Sequence, residues 1–142
     1  MWSPVPRKKT PALNGEAQEA PIARIAAAII HQAIREKADS IRLLPNEAAM
    51  RVEYLLRDVW TETMSLPKHI ESALVAHLKE MACLPTPYRM AMQGLILIRH
   101  AAGLSPGAQA VDLDYDVHLF ITPTRQGEKI VMQIEAADGA HG

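Results

Sequence analysis

The sequence predicts an α+β fold in which an antiparallel sheet packs against two main helices. Two segments, residues 22–34 and 70–81, place apolar residues at the three- and four-residue spacing of a helix face. The segments between and after them alternate apolar and polar residues, which is typical of strands with one buried face. Helix, strands, helix and strands, joined by antiparallel hairpins, indicate the α+β class.

The first helix is predicted to begin at Pro21, because proline is tolerated in the first turn of a helix. The preceding residues, 1–20, are proline-rich, carry a basic run at 7–9 and show no apolar period, so we expect a disordered tail. The domain is expected over residues 21–136, followed by a flexible C-terminal tail over 137–142. The helix places seven apolar residues on one face: Ile22, Ile25, Ala26, Ile29, Ile30, Ala33 and Ile34.

Three strands are predicted between the two helices. Residues 40–44 form the first strand, and residues 50–54 alternate apolar and charged side chains in the second. Arg57-Asp58 is a predicted turn into a third strand, residues 59–64, whose Thr and Trp content favours a strand. Residues 65–67 are then expected to open the second helix, whose apolar stripe comprises Ile70, Ala73, Leu74, Leu78 and Met81.

The remaining strands follow the second helix. Residues 95–98 are a continuous apolar run of strand type, and residues 103–107 are a predicted loop. After a turn at residues 123–127, Ile130, Met132 and Ile134 mark the last strand. Before that turn lies the clearest strand pattern. Its predicted inward residues are Leu113, Tyr115, Val117, Leu119 and Ile121, and its outward residues are Asp112, Asp114, Asp116, His118 and Phe120.

Composition excludes several classes of function. A net charge of −1 and six aromatic residues give no electrostatic or stacking basis for binding nucleic acid. The single cysteine, Cys83, excludes an internal disulfide and suits a reducing compartment. No apolar run approaches the roughly 20 residues of a membrane-spanning helix, and no signal-peptide core follows the N-terminal lysines. We therefore expect a cytoplasmic protein without direct membrane insertion.

The sequence predicts neither an enzyme nor a cofactor or metal site. No Gly-Lys dipeptide occurs, so the phosphate-binding loop G-x-x-x-x-G-K-[ST] is absent, as are H-E-x-x-H and Cys-x-x-Cys. Asp112, Asp114 and Asp116 alternate along a predicted strand, where same-face neighbours stand roughly 6.5–7 Å apart and cannot easily share an ion. A calcium loop would require glycine where Val117 stands. We expect a solvated acidic strand face.

Four stretches, in order, resemble a known family. Residues 21–34 match P-[IV]-x-[RK]-[LI] and its helical continuation, and residues 38–45 stand where the family has A-S-D-I-H-[IL]-E-P. Residues 65–82 resemble L-P-x…[IL]-K-x-M-[AS], and residues 122–134 resemble T-x-P-[TV]-x-x-G-E-[KR]-[IV]-V-[ML]-R-[IL]. Together they are similar to the N2 domain of the type II secretion and type IV pilus assembly ATPases. The resemblance implies a PAS-like fold in an independent, degenerate module, with a fragment of a longer ATPase as the alternative.

The departures from the family concern its arginines. In the family motif R-x-R-Y-R-x-D-G, arginines help to hold nucleotide bound by the attached motor domain. Here Arg51 is kept, whereas Glu53 and Leu55 replace the other two arginines. His118 and Gln133 replace two more. A guanidinium suits phosphate and these replacements do not, so the resemblance implies a fold that is retained without its nucleotide contacts.

Two functions stay open at this point. The resemblance implies a non-catalytic interaction module that docks on a pilus or secretion motor ATPase, or associates with itself as a homo-oligomer, because the family's domain packs on a motor domain. The alternative is a regulatory module that senses a nucleotide or another small ligand. The predicted ligand or partner surface consists of Arg42, Arg51, Arg57 and His118.

Overall fold

The computed structural model describes residues 10–87, 89–99 and 114–137, with side chains described from residue 21 onward. Within these ranges, helices α1 (Thr10–Arg35) and α2 (Glu71–Met81) accompany a six-stranded antiparallel sheet, which confirms the α+β prediction. A single 3₁₀ turn, Lys68–Ile70, precedes α2. The strands are β1 (Ser40–Pro45), β2 (Ala49–Leu56), β3 (Val59–Pro67), β4 (Met92–Ile98), β5 (Tyr115–Thr124) and β6 (Gly127–Ala136).

The sheet has the order β3-β2-β1-β6-β5-β4, so the first and last strands of the chain pair at its centre. Among the strands of the described residues, β3 and β4 lie at the two edges. The predicted turn between β2 and β3 is present: Arg57 and Asp58 have φ of 51° and 68°. Two left-handed residues in a two-residue loop match the right-handed twist of the flanking strands, which accounts for the short connection.

Both helices contribute to one hydrophobic core with one face of the sheet. Ile29 and Ile30 of α1 are buried, as are Val117, Leu119 and Ile121 of β5, so the predicted inward face of β5 is confirmed at these positions. Leu113, predicted for the same face, and Asp112, predicted for the opposite one, lie outside the described residues. The opposite face of the sheet points away from α1 and α2, and it is called the helix-free face below.

Tyr54 fixes α1 over the sheet by a buried hydrogen bond. Its hydroxyl donates to the backbone carbonyl of Ile29 at 2.7 Å, and the side chain is fully buried. Burial raises the pKa of Tyr54 to about 12, and the nearby Glu36 carboxylate acts in the same direction, against the smaller opposing effect of Arg35. The phenol is therefore held neutral as a donor.

Helix α1 begins at Thr10 rather than at the predicted Pro21, which lies inside the helix. The residues from 12 to 20 include alanine, leucine, glutamate and glutamine, all good helix formers, and these extend the helix past a proline that is exposed. The division of the chain at residue 20 stays a prediction, and residues 1–9 lie outside the described part. The predicted C-terminal tail likewise falls mostly outside it.

The start of the second helix and its buried face also differ from the prediction. β3 continues through Pro67, because Leu66 pairs with Met50 and is buried, so residues 65–67 end a strand. Ala73, predicted to face the core, is exposed. Val75 and Lys79 are buried instead. The buried face of α2 is therefore rotated relative to the predicted face, because the apolar period assigned Lys79 to solvent whereas the structure buries it.

Candidate partner surface on the helix-free sheet face

The face of the sheet that points away from the helices carries the residues predicted to bind a ligand or partner. Cross-strand pairing fixes which side chains are neighbours there, because directly opposed residues share a face. One row crosses five strands and joins Glu62, Glu53, Arg42, Val131 and Phe120. Along this row the residues are charged over β1 to β3 and apolar over β5 and β6.

Arg42 and Arg51 share one carboxylate. Arg42 Nε donates to Glu53 Oε1 at 2.6 Å, and Arg51 Nε donates to Glu53 Oε2 at 3.0 Å. The Glu53 side chain is 10% exposed, whereas those of Arg42 and Arg51 are 30% and 42% exposed. Strand geometry explains the arrangement: Arg42 lies directly opposite Glu53, and Arg51 is two residues away on the same strand and face.

Trp60 completes this cluster. The Arg42 guanidinium carbon lies 4.1 Å from the centre of the Trp60 ring, within the range of a cation–π contact. Such a contact contributes about 0.5–1 kcal/mol where the groups are partly exposed. Arg42 is thus held by Glu53 and by Trp60 at once, and Trp60 presents a half-buried aromatic surface beside the two arginines.

The other two predicted residues lie elsewhere. Arg57 is exposed in the β2–β3 turn, where it lines a cavity of about 310 Å³ with Glu36, Lys37 and Leu56. Arg57 is six positions after Arg51 in the sequence, and extended strand of that length spans roughly 20 Å. His118 is on the helix-free face but on β5, two strands from β1, and its Nε2 lies 3.2 Å from Glu135 Oε1. The structure therefore brings together Arg42 and Arg51 only.

Asp116 on β5 and Asp114, directly before this strand, contact a cation of the same chain. Arg99 Nη1 lies 3.4 Å from Asp116 Oδ1, and Arg99 Nε lies 3.9 Å from Asp114 Oδ2. Within residues 10–87, 89–99 and 114–137, no group of three or more His, Cys, Asp or Glu side chains could hold a metal ion. In the same ranges, neither helix has the length and apolar character needed to cross a bilayer.

The edge strand β4 exposes a second feature of the helix-free face. Leu95 and Leu97 are 43% and 54% exposed, while the alternate residues Ile96 and Ile98 are buried under the helices. The strand carries no charged residue. Sequence reasoning identified the apolar run but not this exposure. The signal was present: in an extended strand, the continuous apolar run of residues 95–98 places apolar side chains on both faces, and the core buries only one of them.

A buried ion pair lies on the opposite, helix-covered side. Lys79 of α2 is 1% exposed, and its Nζ lies 3.0 Å from Oε2 and 3.3 Å from Oε1 of Glu128 on β6. Next to it, Lys68 Nζ lies 2.7 Å from Glu71 Oε1. Beside this group Gly127 has φ of +145°, a backbone conformation that residues with a side chain rarely adopt, and a Cβ there would meet the Glu71 carboxylate. Sequence reasoning named neither Lys79 nor Glu128 as buried.

Comparison with curated proteins gives a consistent set of relatives. The chain is 31% identical over 124 residues to the type II secretion system protein E of Xanthomonas campestris, and 29% identical over 119 residues to the type IV pilus assembly ATPase PilB of Myxococcus xanthus. It is 28% identical over 117 residues to the type II secretion system ATPase E of Vibrio cholerae. No protein-family model matches the chain.

These matches cover most of this chain and a small part of each relative. They span 87%, 83% and 82% of the chain but only 20%, 19% and 21% of the respective relatives. The chain is homologous to one segment, about a fifth in length, of type II secretion and type IV pilus ATPases.

Proposed function

We propose that this homologue of a secretion and pilus ATPase segment is a non-catalytic, cytoplasmic docking module with a PAS-like sheet, whose partner is a motor ATPase of the same class. The observation that carries the proposal is the Arg42–Glu53–Arg51 cluster on the helix-free face. The Glu53 carboxylate forms ion pairs with both Arg42 and Arg51. What is left at the surface is a half-exposed arginine pair beside Trp60, which suits a protein partner.

The energetics of the cluster favour docking over anion sensing. A phosphate that enters this cluster competes with Glu53 for the two guanidinium groups and meets its negative charge at close range. A protein partner can instead use the exposed part of each arginine, and the aromatic surface of Trp60, without displacing Glu53. Tryptophan and arginine are the residue types that contribute most binding energy at protein interfaces.

Biolayer interferometry with the purified secretion or pilus ATPase of the same organism tests the proposal. We expect saturable binding that Trp60→Ala weakens by roughly tenfold or more, since a buried aromatic anchor contributes at least about 1.4 kcal/mol. Glu80→Ala is the matched control, because Glu80 is exposed on α2, away from the helix-free face. Equal binding by wild type and the Trp60 variant, or no binding at all, contradicts docking through this surface.

The sensing alternative makes a different prediction for the same cluster. If nucleotide is the ligand, isothermal titration calorimetry with ATP should give micromolar affinity for the protein alone, and the melting temperature should rise with ATP by mass action. We expect neither. Glu53→Gln removes the competing charge and is therefore expected to bind ATP more tightly than wild type. A wild-type protein that already binds ATP at micromolar concentration contradicts the docking proposal.

A further inference from the structure

The two edges of the sheet are protected very differently. β3 carries Glu62, ends at Pro67 and pairs with β2 through an irregular register between Val52 and Glu53. Charge, proline and bulges are the devices by which proteins block pairing at an edge. β4 has none of them: it runs Met92-Gln93-Gly94-Leu95-Ile96-Leu97-Ile98 in regular register with β5. An uncharged, regular edge strand is a template for another strand.

We propose that β4 is a self-association edge, at which two copies of this chain pair their β4 strands antiparallel about a two-fold axis. This inference rests on the proposed role as an interaction module, and it names one partner of that module: a second copy. An axis perpendicular to the sheet joins the two sheets edge to edge, with the helices of both copies on the same side. A two-fold contact uses the same strand from each copy.

The exposed leucines select the register. With the axis at Ile96, Leu95 of each copy lies opposite Leu97 of the other, so both exposed leucines gain an apolar neighbour. With the axis at Leu95 or at Leu97, one leucine instead faces Gln93 or Arg99 of the second copy. Directly opposed side chains stand about 4.5–5.5 Å apart, which is contact distance for two leucines. The Ile96 register is thus the one that covers Leu95 and Leu97 together.

The charges around β4 are compatible with the same register. On the helix-free face, Leu95 adjoins His118 and Leu97 adjoins Asp116. Pairing about Ile96 therefore produces rows in which an aspartate of one copy and a histidine of the other flank the leucine pair. Arg99 lies opposite Gln93 of the second copy, a donor opposite an acceptor. No like charges are opposed, so self-pairing carries no electrostatic penalty of that kind.

Sedimentation velocity over a concentration series tests the pairing, in the absence of any ATPase. We expect the mass to double with rising concentration, and Leu97→Lys to weaken association by at least roughly tenfold, since it places two lysines at the contact. Val59→Lys is the matched control, because Val59 is 61% exposed at the opposite edge. A monomer at every concentration, or equal effects of the two lysine substitutions, overturns the proposal.

Disulfide trapping tests the register. On a Cys83→Ser background, which removes the exposed native thiol, a mixture of Leu95→Cys and Leu97→Cys proteins should cross-link faster than either protein alone. The opposed positions are within about 5.5 Å, whereas identical positions are diagonal neighbours about 7–8 Å apart. Preferential trapping of either single variant with itself overturns the Ile96 register. Dimerisation is measured here without the motor ATPase, so a failure of β4 pairing is distinguishable from a failure of ATPase docking.

Discussion

The buried ion pair between Lys79 and Glu128 gives the strongest stability prediction. Glu128→Gln keeps the shape of the side chain but removes the carboxylate that lies 3.0 Å from the Lys79 ammonium, which is 1% exposed. At a separation of 3.0 Å the Coulomb attraction is about 5–6 kcal/mol at an effective dielectric constant near 20. Removing one partner of a buried pair typically costs about 3–5 kcal/mol, because the remaining charge stays desolvated.

The double variant separates pairing from desolvation. Lys79→Met with Glu128→Gln removes both charges and keeps most of the side-chain volume. We expect it to be more stable than the Glu128→Gln single variant, because the buried ammonium is removed together with its Glu128 partner. A double-mutant cycle measured by urea unfolding should give a coupling energy of at least about 2 kcal/mol. Arg99→Met is the control: its ion pairs are about 40% exposed on the arginine side and should contribute less than about 1 kcal/mol.

Small effects of the single variants on the free energy of unfolding would contradict a buried, strongly coupled pair. If Glu128→Gln and Lys79→Met each cost under about 1 kcal/mol and their effects add, the pair is solvated in solution. Salt offers an independent check. The contribution of a buried pair should change little between low and high ionic strength, whereas the Arg99 pairs should weaken.

Three further predictions concern the rest of the fold. Because the pKa of Tyr54 rises from 10 to about 12 on folding, its contribution to the free energy of unfolding is complete below pH 10 and is lost as the pH rises to 12. Urea unfolding should show that wild type loses about 2–3 kcal/mol more than Tyr54→Phe over that window. Parallel pH profiles of the two proteins would contradict this prediction. Ile30→Ala and Leu119→Ala should each lower the free energy of unfolding, measured in urea, by about 2–5 kcal/mol, whereas Asp116→Ala should lower it by less than about 1 kcal/mol. The reverse ranking of Leu119→Ala and Asp116→Ala would mean that the faces of β5 are misassigned. Gly127→Ala should lower the free energy of unfolding by about 1–3 kcal/mol, because alanine at a φ of +145° is strained and its Cβ meets the Glu71 carboxylate. An unchanged melting temperature would contradict this prediction.

The strands could be predicted where one face is buried and the other is wet. The alternation around Val117 and Leu119 identified both the strand and its inward face, because period two has no other common explanation. The same reasoning located the Arg57-Asp58 turn between two alternating segments. The start of α2 could not be predicted, because Leu66 fits either an apolar strand end or a helix start until its pairing with Met50 is known.

The buried charges lay beyond local pattern reasoning. Lys79 and Glu128 are 49 residues apart in sequence, so nothing near either residue indicates its partner. The apolar period therefore assigned Lys79 to the solvent side, and the predicted buried face of α2 was wrong at Ala73 and Lys79. The predicted similarity to the secretion ATPases did contain the clue, since it matched Lys79 in one stretch and Glu128 in another. Only the fold shows that the two matched residues touch.

The arginine cluster changes the meaning of the sequence departure at position 53. By itself, a glutamate in place of an arginine suggests the loss of an anion contact. In the structure, the same glutamate holds Arg42 from the neighbouring strand and Arg51 from its own strand, one with each carboxylate oxygen. A third arginine there would place three like charges on adjacent positions, which only a bound anion could offset. Glu53 supplies a carboxylate to both guanidinium groups, so the two arginines are ion-paired without a bound ligand, although the three side chains together keep one positive charge.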